Sequence, residues 1–344
     1  MHAARLHGPN DIRYEQAPDP IPGPGRMLVR VRAAGICGTD IEIYTHEHPV
    51  YRSGKGRLPL ILGHEWSGEV MEVGPGVTRF KPGDRVTCEN PIGCGTCEAC
   101  LNGHENACPN RMEFGIQGRD GAFADYTLAD EGKTHSIGDL SFDEAALLEP
   151  ATVAVRAVRR AEVRPGDRVA VLGSGCIGLL VVQAAKAAGA GLVLATDIAE
   201  SKLLLARSLG ADAVASPLTE SLADASRKLT GGNGFDAVIE CSGDTTSLSD
   251  AFALPAIAGR IVVVGVYGGA AVPIAPDALV SGEITVRGTV GGQDCWEETI
   301  RLAAEGAIRT RPLISHTMAL SNVRKAFDLA LSGGPNVTKI ILTP

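Results

Sequence analysis

Hydrophobic and polar positions alternate in two different ways along the chain, and the pattern changes near residue 166. Between residues 25 and 90, runs such as 27–32 and 68–73 alternate apolar and polar side chains, and Pro, Gly and Asp separate them. A period of two with such breaks predicts strands joined by tight turns. We therefore expect a β-rich N-terminal domain built as a small irregular barrel or sandwich.

From about residue 166, short apolar runs alternate with helical patterns, which predicts a doubly wound parallel sheet with helices on both faces. Gly189 and Gly210 stand where such helices end. The predicted strands are 168–172, 192–197, 213–216, 235–241, 260–266 and 284–288, and the predicted helices between them are 177–188, 200–209, 219–229 and 245–256. Two more helices are predicted at 297–305 and 323–331, and the apolar run 339–342 predicts a strand that returns to the first domain.

Composition limits the classes of protein that fit. A chain of 344 residues with 44% apolar and 21% charged residues is typical of a globular protein of about two domains. Aromatic residues make up only 4% and the net charge is −8, which disfavours partnership with nucleic acid or anionic membranes. The first thirty residues lack an apolar targeting core, and the most apolar stretch, 177–196, contains Gln183 and Lys186. We expect a cytoplasmic protein.

A glycine-rich turn follows the predicted strand 168–172 and opens the next helix. Gly173, Gly175 and Gly178 give the spacing G-x-G-x-x-G, which permits a tight turn, a close approach of a pyrophosphate and close helix–strand packing. Asp197 ends the second strand nineteen positions later, where a carboxylate accepts hydrogen bonds from the adenosine ribose and repels a 2′-phosphate. Ile198 follows it, so the pattern favours NAD over NADP. The alternative is a glycine turn in another kind of α/β sheet.

Four of the nine cysteines lie within fifteen residues, at Cys94, Cys97, Cys100 and Cys108. In a reducing compartment such spacing predicts a closed tetrahedral site for a structural zinc ion. A redox or iron–sulfur cluster is one alternative, and a zinc module that binds nucleic acid is another. The loop is acidic, with glutamates at positions 89, 98 and 105, which disfavours nucleic acid.

A second set of metal-ligating residue types is dispersed along the chain. Cys37, the pair His64-Glu65, and Glu149 supply one thiol, one imidazole and two carboxylates, which suit an open catalytic zinc site. Each residue also has a structural interpretation, as a small core residue, a buried histidine or a carboxylate at a helix end. Spacing alone does not join them.

The order of these motifs resembles the zinc-dependent medium-chain dehydrogenase/reductase family over essentially the whole chain. Its polyol (sorbitol-like) branch is the most similar, with threonine dehydrogenases nearby. The resemblance implies an α/β protein with a GroES-like catalytic domain of residues 1–150 and 290–344, and a structural-zinc lobe at about 88–112. A Rossmann domain that binds NAD would span 151–289. Family members are dimers or tetramers, and we expect a homotetramer.

The resemblance also implies roles for individual residues. Cys37 and His64 would bind a catalytic zinc ion, with Glu65 and Glu149 as direct or exchanging ligands beside a water. Thr39 would pass on the substrate proton, and Asp40 would orient His64. Cys94, Cys97, Cys100 and Cys108 would hold the structural zinc, so that each chain carries two ions. The implied cofactor contacts, beside Gly173, Gly175, Gly178 and Asp197, are Ile177, Lys202, Val264, Gly265, Val266, Val290, Gly291 and Gly292.

Two positions depart from the family pattern. Polyol relatives often carry a histidine where this chain has Glu42, and sorbitol-type enzymes carry an Arg-Tyr pair where it has Gly291 and Gly292. His46 and His48 follow the first zinc motif closely, and we interpret them as solvated loop residues rather than pocket residues.

The expected function is therefore an NAD-dependent zinc oxidoreductase. It would reversibly oxidise a secondary alcohol, a polyol or sugar alcohol, to a ketone, with hydride transfer to NAD. An L-threonine 3-dehydrogenase or a simple alcohol dehydrogenase is the alternative within the family. A catalytically silent NAD-binding protein of the same fold is the alternative that is not an enzyme.

Overall fold

The computed structural model describes residues 1–344 and divides them into two units. The first unit consists of Met1–Glu149 and Ile314–Pro344, and the second is Pro150–Leu313. Segment 290–313 thus lies in the second unit, whereas the family resemblance implies that it belongs to the first. A long-range contact ties it there: the Gln183 side chain accepts a hydrogen bond from the Arg309 N–H at 2.8 Å and donates one to the Arg309 carbonyl at 3.3 Å.

The N-terminal part of the first unit is mostly strand. Its strands are β1 (His2–Gly8), β2 (Asp11–Gln16), β3 (Arg26–Gly35), β4 (Leu60–Ile61), β5 (Glu65–Val73), β6 (Arg85–Cys88), β7 (Glu113–Phe114), β8 (Gly118–Arg119), β9 (Tyr126–Asp130) and β10 (Thr134–Ser136). Its helices are α1 (Gly38–Tyr44), α2 (Pro49–Arg52), α3 (Glu98–Leu101), α4 (Phe142–Ala146) and the start of α5 (Leu148–Arg160). Short 3₁₀ turns cover Glu105–Ala107 and Glu131–Lys133.

The second unit alternates strands and helices. Its strands are β11 (Arg168–Leu172), β12 (Leu192–Thr196), β13 (Ala213–Ala215), β14 (Phe235–Glu240), β15 (Pro255–Val263) and β16 (Thr285–Gly288). Its helices, after α5, are α6 (Cys176–Ala187), α7 (Glu200–Ser208), α8 (Leu222–Thr230), α9 (Thr245–Ala251), α10 (Pro276–Gly282) and α11 (Trp296–Ala304), with 3₁₀ turns at Gln293–Cys295 and Arg311–Leu313. The C-terminal segment adds β17 (Ile314–Ala319), a 3₁₀ turn at Leu320–Asn322, α12 (Val323–Ser332) and β18 (Lys339–Thr343) to the first unit.

Strand β3 organises the first unit because it pairs with three other strands. It pairs antiparallel with β5 along its length, with β9 through its first half and with β18 at its end, where Ile341 lies opposite Gly35. These strands belong to a seven-stranded sheet in which six strands follow the order β10-β6-β5-β3-β18-β17 and β9 pairs with β3 beside this path, and β2-β1-β4 form a second sheet. The closing strand therefore returns to the first unit, as the sequence predicts, and it brings Lys339 beside the start of β5.

The second unit is the doubly wound sheet that the alternating pattern predicts. All six strands are parallel, in the order β13-β12-β11-β14-β15-β16. The strands read as near-continuous apolar runs because both faces of such a sheet are covered by helices. The order reverses between β11 and β14, and ligands of open α/β sheets bind outside the carboxyl ends of the strands at that point. None of the helices combines the length and the apolar content needed to cross a membrane.

Several predicted boundaries differ from the observed ones. The helix predicted over 245–256 ends at Ala251, because Pro255 disfavours a helical residue before it and opens β15. Helix α10 and strand β17 were not predicted. Helix α10 buries none of its residues, so it lacks the apolar stripe that predicts a helix from sequence.

The glycine-rich turn shows why two of its glycines are required sterically. Gly173 has a φ of +90°, a conformation that other residues rarely adopt. A Cβ on Gly178 would lie 1.8 Å from the carbonyl oxygen of Gly173. Gly175 differs, since its Cβ would meet nothing within 4 Å and its φ is −69°. The first and third glycines thus serve packing, whereas the second leaves the backbone open to a ligand.

We expect Gly178→Ala to lower the free energy of unfolding by about 1–3 kcal/mol, the usual cost of forcing an extra methyl group into a packed site. Gly175→Ala is the matched control and should unfold at the wild-type temperature, because its methyl group would project into open space. Thermal unfolding followed by circular dichroism measures both. Equal midpoints for the two variants would contradict this packing.

Candidate metal centres and nucleotide site

A buried carboxylate connects the two motifs that supply the dispersed ligands. Asp40, in the first turn of α1, has no exposed surface. Its Oδ2 accepts the N–H of Cys37 at 2.9 Å and its Oδ1 accepts the N–H of Gly63 at 3.2 Å. The same Oδ1 lies 3.6 Å from Nδ1 of His64. One side chain therefore holds the start of α1 against the turn before β5.

This connection brings a thiol, an imidazole and a carboxylate together. The candidate ligand atoms of Cys37, His64 and Glu65 all lie within 4.8 Å of one another. His64 and Glu65 are buried, and Cys37 is half-buried. Thr39 lies in the first turn of α1, two residues after the cysteine, and is half-buried.

Glu65 has a buried ionic partner that the sequence analysis did not identify. Nζ of Lys339, in β18, lies 2.8 and 2.6 Å from the two carboxylate oxygens of Glu65 and also donates to the Ile36 carbonyl at 3.1 Å. The two side chains are only 4% and 1% exposed. A lysine at the start of the otherwise apolar run 339–342 was the available signal, because a buried ammonium group requires a partner.

The charges around this cluster shift the pKa values of His64, which belongs to it, and of Glu149, which does not. Burial lowers the pKa of His64, but the negative charges of Asp40 and Cys37 outweigh burial and raise it well above its usual range. Burial raises the pKa of Glu149 to about 7; His64 opposes this shift and the charge of Glu65 adds to it. Glu149 is thus close enough to interact electrostatically with the cluster. It is not one of the three residues whose candidate ligand atoms lie within 4.8 Å of one another.

The donor set fits a zinc ion. Thiolate, imidazole and carboxylate are its three usual protein ligands, and three of them with one open position are the pattern of catalytic sites. Nδ1 of His64 is buried without a hydrogen-bond partner within normal reach, and the carboxylate of Asp40 faces it at 3.6 Å. A neighbouring carboxylate of this kind orients and polarises a metal-binding imidazole. The local negative charge that favours a proton on His64 also favours a divalent cation.

The four clustered cysteines also meet. The sulfur atoms of Cys94, Cys97, Cys100 and Cys108 all lie within 4.8 Å of one another. Cys108 is buried and its sulfur accepts the N–H groups of Cys94 and Asn110, both at 3.4 Å. Hydrogen bonds from the backbone N–H and the hydroxyl of Thr96 lower the pKa of Cys94 to about 5. Such a set of thiolates fits a closed structural zinc site.

Two of the glutamates in this lobe are paired with basic side chains. Lys133 lies 2.6 Å from Glu105 and 3.5 Å from Glu89, and His135 lies 2.9 Å from Glu89. These contacts attach the lobe to strand β10 and its preceding turn.

At the nucleotide fingerprint, Asp197 follows the carboxyl end of β12. Its Oδ2 accepts the N–H of Ser174 and its Oδ1 accepts the N–H of Ala199, both at 2.9 Å. The aspartate therefore also shapes the glycine-rich turn. Each carboxylate oxygen retains a further lone pair for a ligand. The open space at Gly175, beside the start of α6, fits a pyrophosphate.

The other predicted cofactor contacts lie in the second unit. Val264, Gly265 and Val266 follow β15, and Val290, Gly291 and Gly292 follow β16, so both groups lie at carboxyl ends of the sheet. Ile177 and Lys202 are half-buried in the first turns of α6 and α7. Val266 and Val290 are both more than half exposed, which leaves apolar surface available at this edge.

His46 and His48 do not behave as freely solvated loop residues. Their rings lie 5.4 and 6.4 Å from the ring of Tyr51, and both histidines are half-buried. Burial lowers the pKa of His48, Glu113 opposes this, and the positive charges of Arg111 and His64 lower it further. At position 42, where polyol relatives often carry a histidine, burial raises the pKa of Glu42.

Comparison with known proteins gives concordant matches. Residues 23–139 match the alcohol dehydrogenase GroES-like domain, and residues 176–305 match the zinc-binding dehydrogenase family. The chain is 32% identical over 352 residues to a sorbitol dehydrogenase of Bacillus subtilis, covering 100% of this chain and 97% of that protein. It is 36% identical over 335 residues to an L-threonine 3-dehydrogenase of Symbiobacterium thermophilum, covering 96% and 93%.

A solved structure is similar over the whole chain. It is a protein of Sinorhizobium meliloti 1021, described as a zinc-binding dehydrogenase and solved with NADP bound. The TM-score is 0.93 at 32% identity, covering 100% of this chain and 99% of that one.

We expect Lys339→Met to lower the free energy of unfolding of the metal-free protein by about 3–5 kcal/mol, because it leaves the Glu65 carboxylate buried without its partner. Replacing both residues, as Glu65→Gln with Lys339→Met, should recover most of this loss. Urea unfolding in the presence of a chelator measures the three proteins. A double variant no more stable than the single one would show that the ion pair is not the cause.

Proposed function

This chain is a member of the zinc-dependent medium-chain dehydrogenase/reductase family, and we propose that it oxidises a secondary alcohol of the polyol class to a ketone, reversibly, with NAD as the hydride acceptor. The observation that carries the proposal is the adjacency of the candidate ligand atoms of Cys37, His64 and Glu65. The similarity to sorbitol dehydrogenase over the full chain supports the polyol class. In this proposal the enzyme holds one catalytic and one structural zinc ion per chain.

The reaction requires the substrate hydroxyl to lose a proton before hydride can leave its carbon. A zinc ion, when bound, supplies Lewis acidity, which for water amounts to roughly eight pKa units. Cys37 and His64 would hold the ion, with Glu65 as a third or exchanging ligand. Asp40 would keep the imidazole oriented, and Lys339 would neutralise Glu65 when that carboxylate is not a ligand.

The protein's own groups would then move the proton. Thr39 carries a hydroxyl two residues after the zinc cysteine, and it can accept a proton and release another. Glu149, with a pKa of about 7, is suited to exchange protons near neutral pH. A bound nicotinamide would supply the hydride acceptor, so the remaining contribution of the protein is orientation.

Asp197 supports NAD as the cofactor. Its carboxylate already accepts two backbone N–H groups, which holds it at the end of β12. A 2′-phosphate placed beside this carboxylate would meet like charge, and the next residue is Ile198 rather than an arginine. The NADP found in the similar Sinorhizobium protein makes this preference a point to test.

An L-threonine 3-dehydrogenase is the second candidate, because a protein of that name is 36% identical over most of the chain. The two candidates differ in substrate only. NADH formation across sugar alcohols, inositols, threonine and simple alcohols would separate them. A silent NAD-binding protein would lack part of the ligand set, whereas here the thiol, the imidazole and the carboxylate are all adjacent.

We also propose a cytoplasmic homo-oligomer, with a tetramer favoured. The edge strand β16 and helix α10 support association between copies. Helix α10 has no buried residue, and Val280 and Val286 are 78% and 41% exposed. The open side of an edge strand that carries exposed apolar side chains is a ready surface for pairing with a second copy.

Cys37→Ala should abolish alcohol oxidation and reduce the zinc content from two ions per chain to one. Even the hydrogen-bond partners of zinc ligands contribute about 10- to 100-fold, so we expect a loss of at least about a hundredfold. Cys88→Ala is the matched control, since Cys88 lies outside both clusters. Elemental analysis and NADH absorbance provide the measurements. A folded Cys37→Ala enzyme with near-normal turnover would refute the zinc role.

Asp197→Gly should lower kcat/KM for NAD about tenfold, consistent with the loss of hydrogen bonds to a charged group. It should also raise the NADP-to-NAD ratio of kcat/KM. Asp197→Asn retains an acceptor oxygen without the charge. It should therefore also raise the NADP-to-NAD ratio, with a smaller loss of kcat/KM for NAD than Asp197→Gly. Initial rates with both cofactors measure this, and an unchanged ratio in both variants would refute the ribose assignment.

A further inference from the structure

A buried carboxylate ends β14, and the function described so far does not use it. Glu240 has no exposed surface. Its Oε1 accepts the N–H of Ser242 at 2.7 Å, the hydroxyl of Ser247 at 3.1 Å and the hydroxyl of Ser242, and its Oε2 accepts the hydroxyl of Tyr267. Four donors converging on one carboxylate satisfy its capacity as an acceptor. Such a group anchors the segments that supply the donors.

Glu240 lies beside the point where the strand order of the sheet reverses. Glu240 lies opposite Leu172 in the pairing of β14 with β11, and the strand order reverses between these two strands. Asp197 follows the carboxyl end of β12, on the other side of β11. The ends of β12 and β14 are thus two strand spacings apart, about 10 Å. The adenosine end and the nicotinamide end of a dinucleotide would lie on opposite sides of this reversal point.

The segment that follows β15 packs directly on Glu240. The N–H of Val264 donates to the Glu240 carbonyl at 2.9 Å. A Cβ on Gly265 would lie 2.5 Å from Oε2 of Glu240, so only glycine permits this approach. A Cβ on Gly173 would similarly lie 2.8 Å from the Cβ of Ser242. The phosphate-binding turn, the turn after β14 and segment 264–266 therefore form one packed layer.

The Tyr267 side chain attaches the end of segment 264–266 to this packed layer through its hydrogen bond to Glu240. Val266 is 66% exposed, and most residues of 268–286 are exposed, so little burial holds the chain beyond this point. Burial and the hydrogen bond to Glu240 raise the pKa of Tyr267, which keeps the phenol protonated and able to donate. The hydroxyl of Tyr267 thus ties an otherwise exposed segment to a buried anion.

We propose that Tyr267 and Glu240 act as a positioning pair that holds segment 264–266 in place for the nicotinamide half of the cofactor. This inference rests on the proposed function. Hydride transfer is sensitive to the placement of the ring, because the reacting atoms must be aligned at close range. The adenosine half should not depend on the Tyr267 hydroxyl, since Asp197 and Gly175 lie on the other side of the reversal point and the hydrogen bonds from Ser242 to Glu240 do not involve Tyr267.

Tyr267→Phe removes the hydroxyl and leaves the ring. We expect the dissociation constant for NADH to rise about fivefold or more, as fits the loss of a hydrogen bond to a charged group. The constant for ADP-ribose, which lacks nicotinamide, should stay within about twofold of wild type. NADH fluorescence measures the first constant, and displacement of NADH by ADP-ribose measures the second. Tyr14→Phe, in the first unit, is the matched control and should change neither.

A double-mutant cycle isolates the pair. Glu240→Gln retains an acceptor oxygen but removes the charge, and in that background Tyr267→Phe should weaken NADH binding by a smaller factor than in wild type. Equal losses for NADH and ADP-ribose would indicate a structural role only and overturn the proposal, as would unchanged NADH affinity. Failure of the proposed function is distinguishable, because the wild-type protein would then form no NADH from polyols, which is a separate measurement from its affinities for NADH and ADP-ribose.

Discussion

The candidate metal-ligand cluster of the first unit, Cys37, His64 and Glu65, depends on the placement of one buried carboxylate. Asp40 accepts the N–H of Cys37 and the N–H of Gly63 and faces the imidazole of His64. A buried carboxylate without hydrogen-bond donors would destabilise the fold. The N–H groups of Cys37 and Gly63 are these donors, so satisfying Asp40 also places the two ligand-bearing turns side by side. Together with the pairing of Gly35 with Glu65, Asp40 fixes the start of α1 beside the start of β5, where the thiol and the imidazole converge.

Charge balance is the second constraint on that site. Glu65, Glu149 and Asp40 bring three carboxyl groups close to one thiol and one imidazole, and the only ammonium group among them comes from the other end of the chain, at Lys339. A divalent cation would relieve the remaining negative charge. The strand β18 therefore does more than complete a sheet, since its first residue supplies the countercharge of a candidate ligand.

In the second unit the main constraint is steric: the turns at the carboxyl edge of the sheet pack so closely that glycine is required at three positions. Gly173, Gly178 and Gly265 each lie where a Cβ would collide with a neighbouring turn. Their absence of side chains lets the turns after β11, β14 and β15 pack against one another. Two carboxylates, Asp197 and Glu240, then hold backbone N–H groups at either side of the reversal point. This arrangement offers a ligand a rigid edge with an open surface at Gly175.

The sequence by itself determined the features that are local. The four cysteines lie within fifteen residues, and the glycine turn directly joins one strand to one helix, so spacing alone carries their chemistry. The alternation of strands and helices likewise predicted the parallel sheet. Only the tertiary structure decided which distant residues meet. It joined Cys37 to His64 through Asp40, and Glu65 to Lys339 across 274 positions of the chain. It also assigned segment 290–313 through Gln183 and Arg309, because long-range hydrogen bonds and buried charges leave no periodic signal in the sequence.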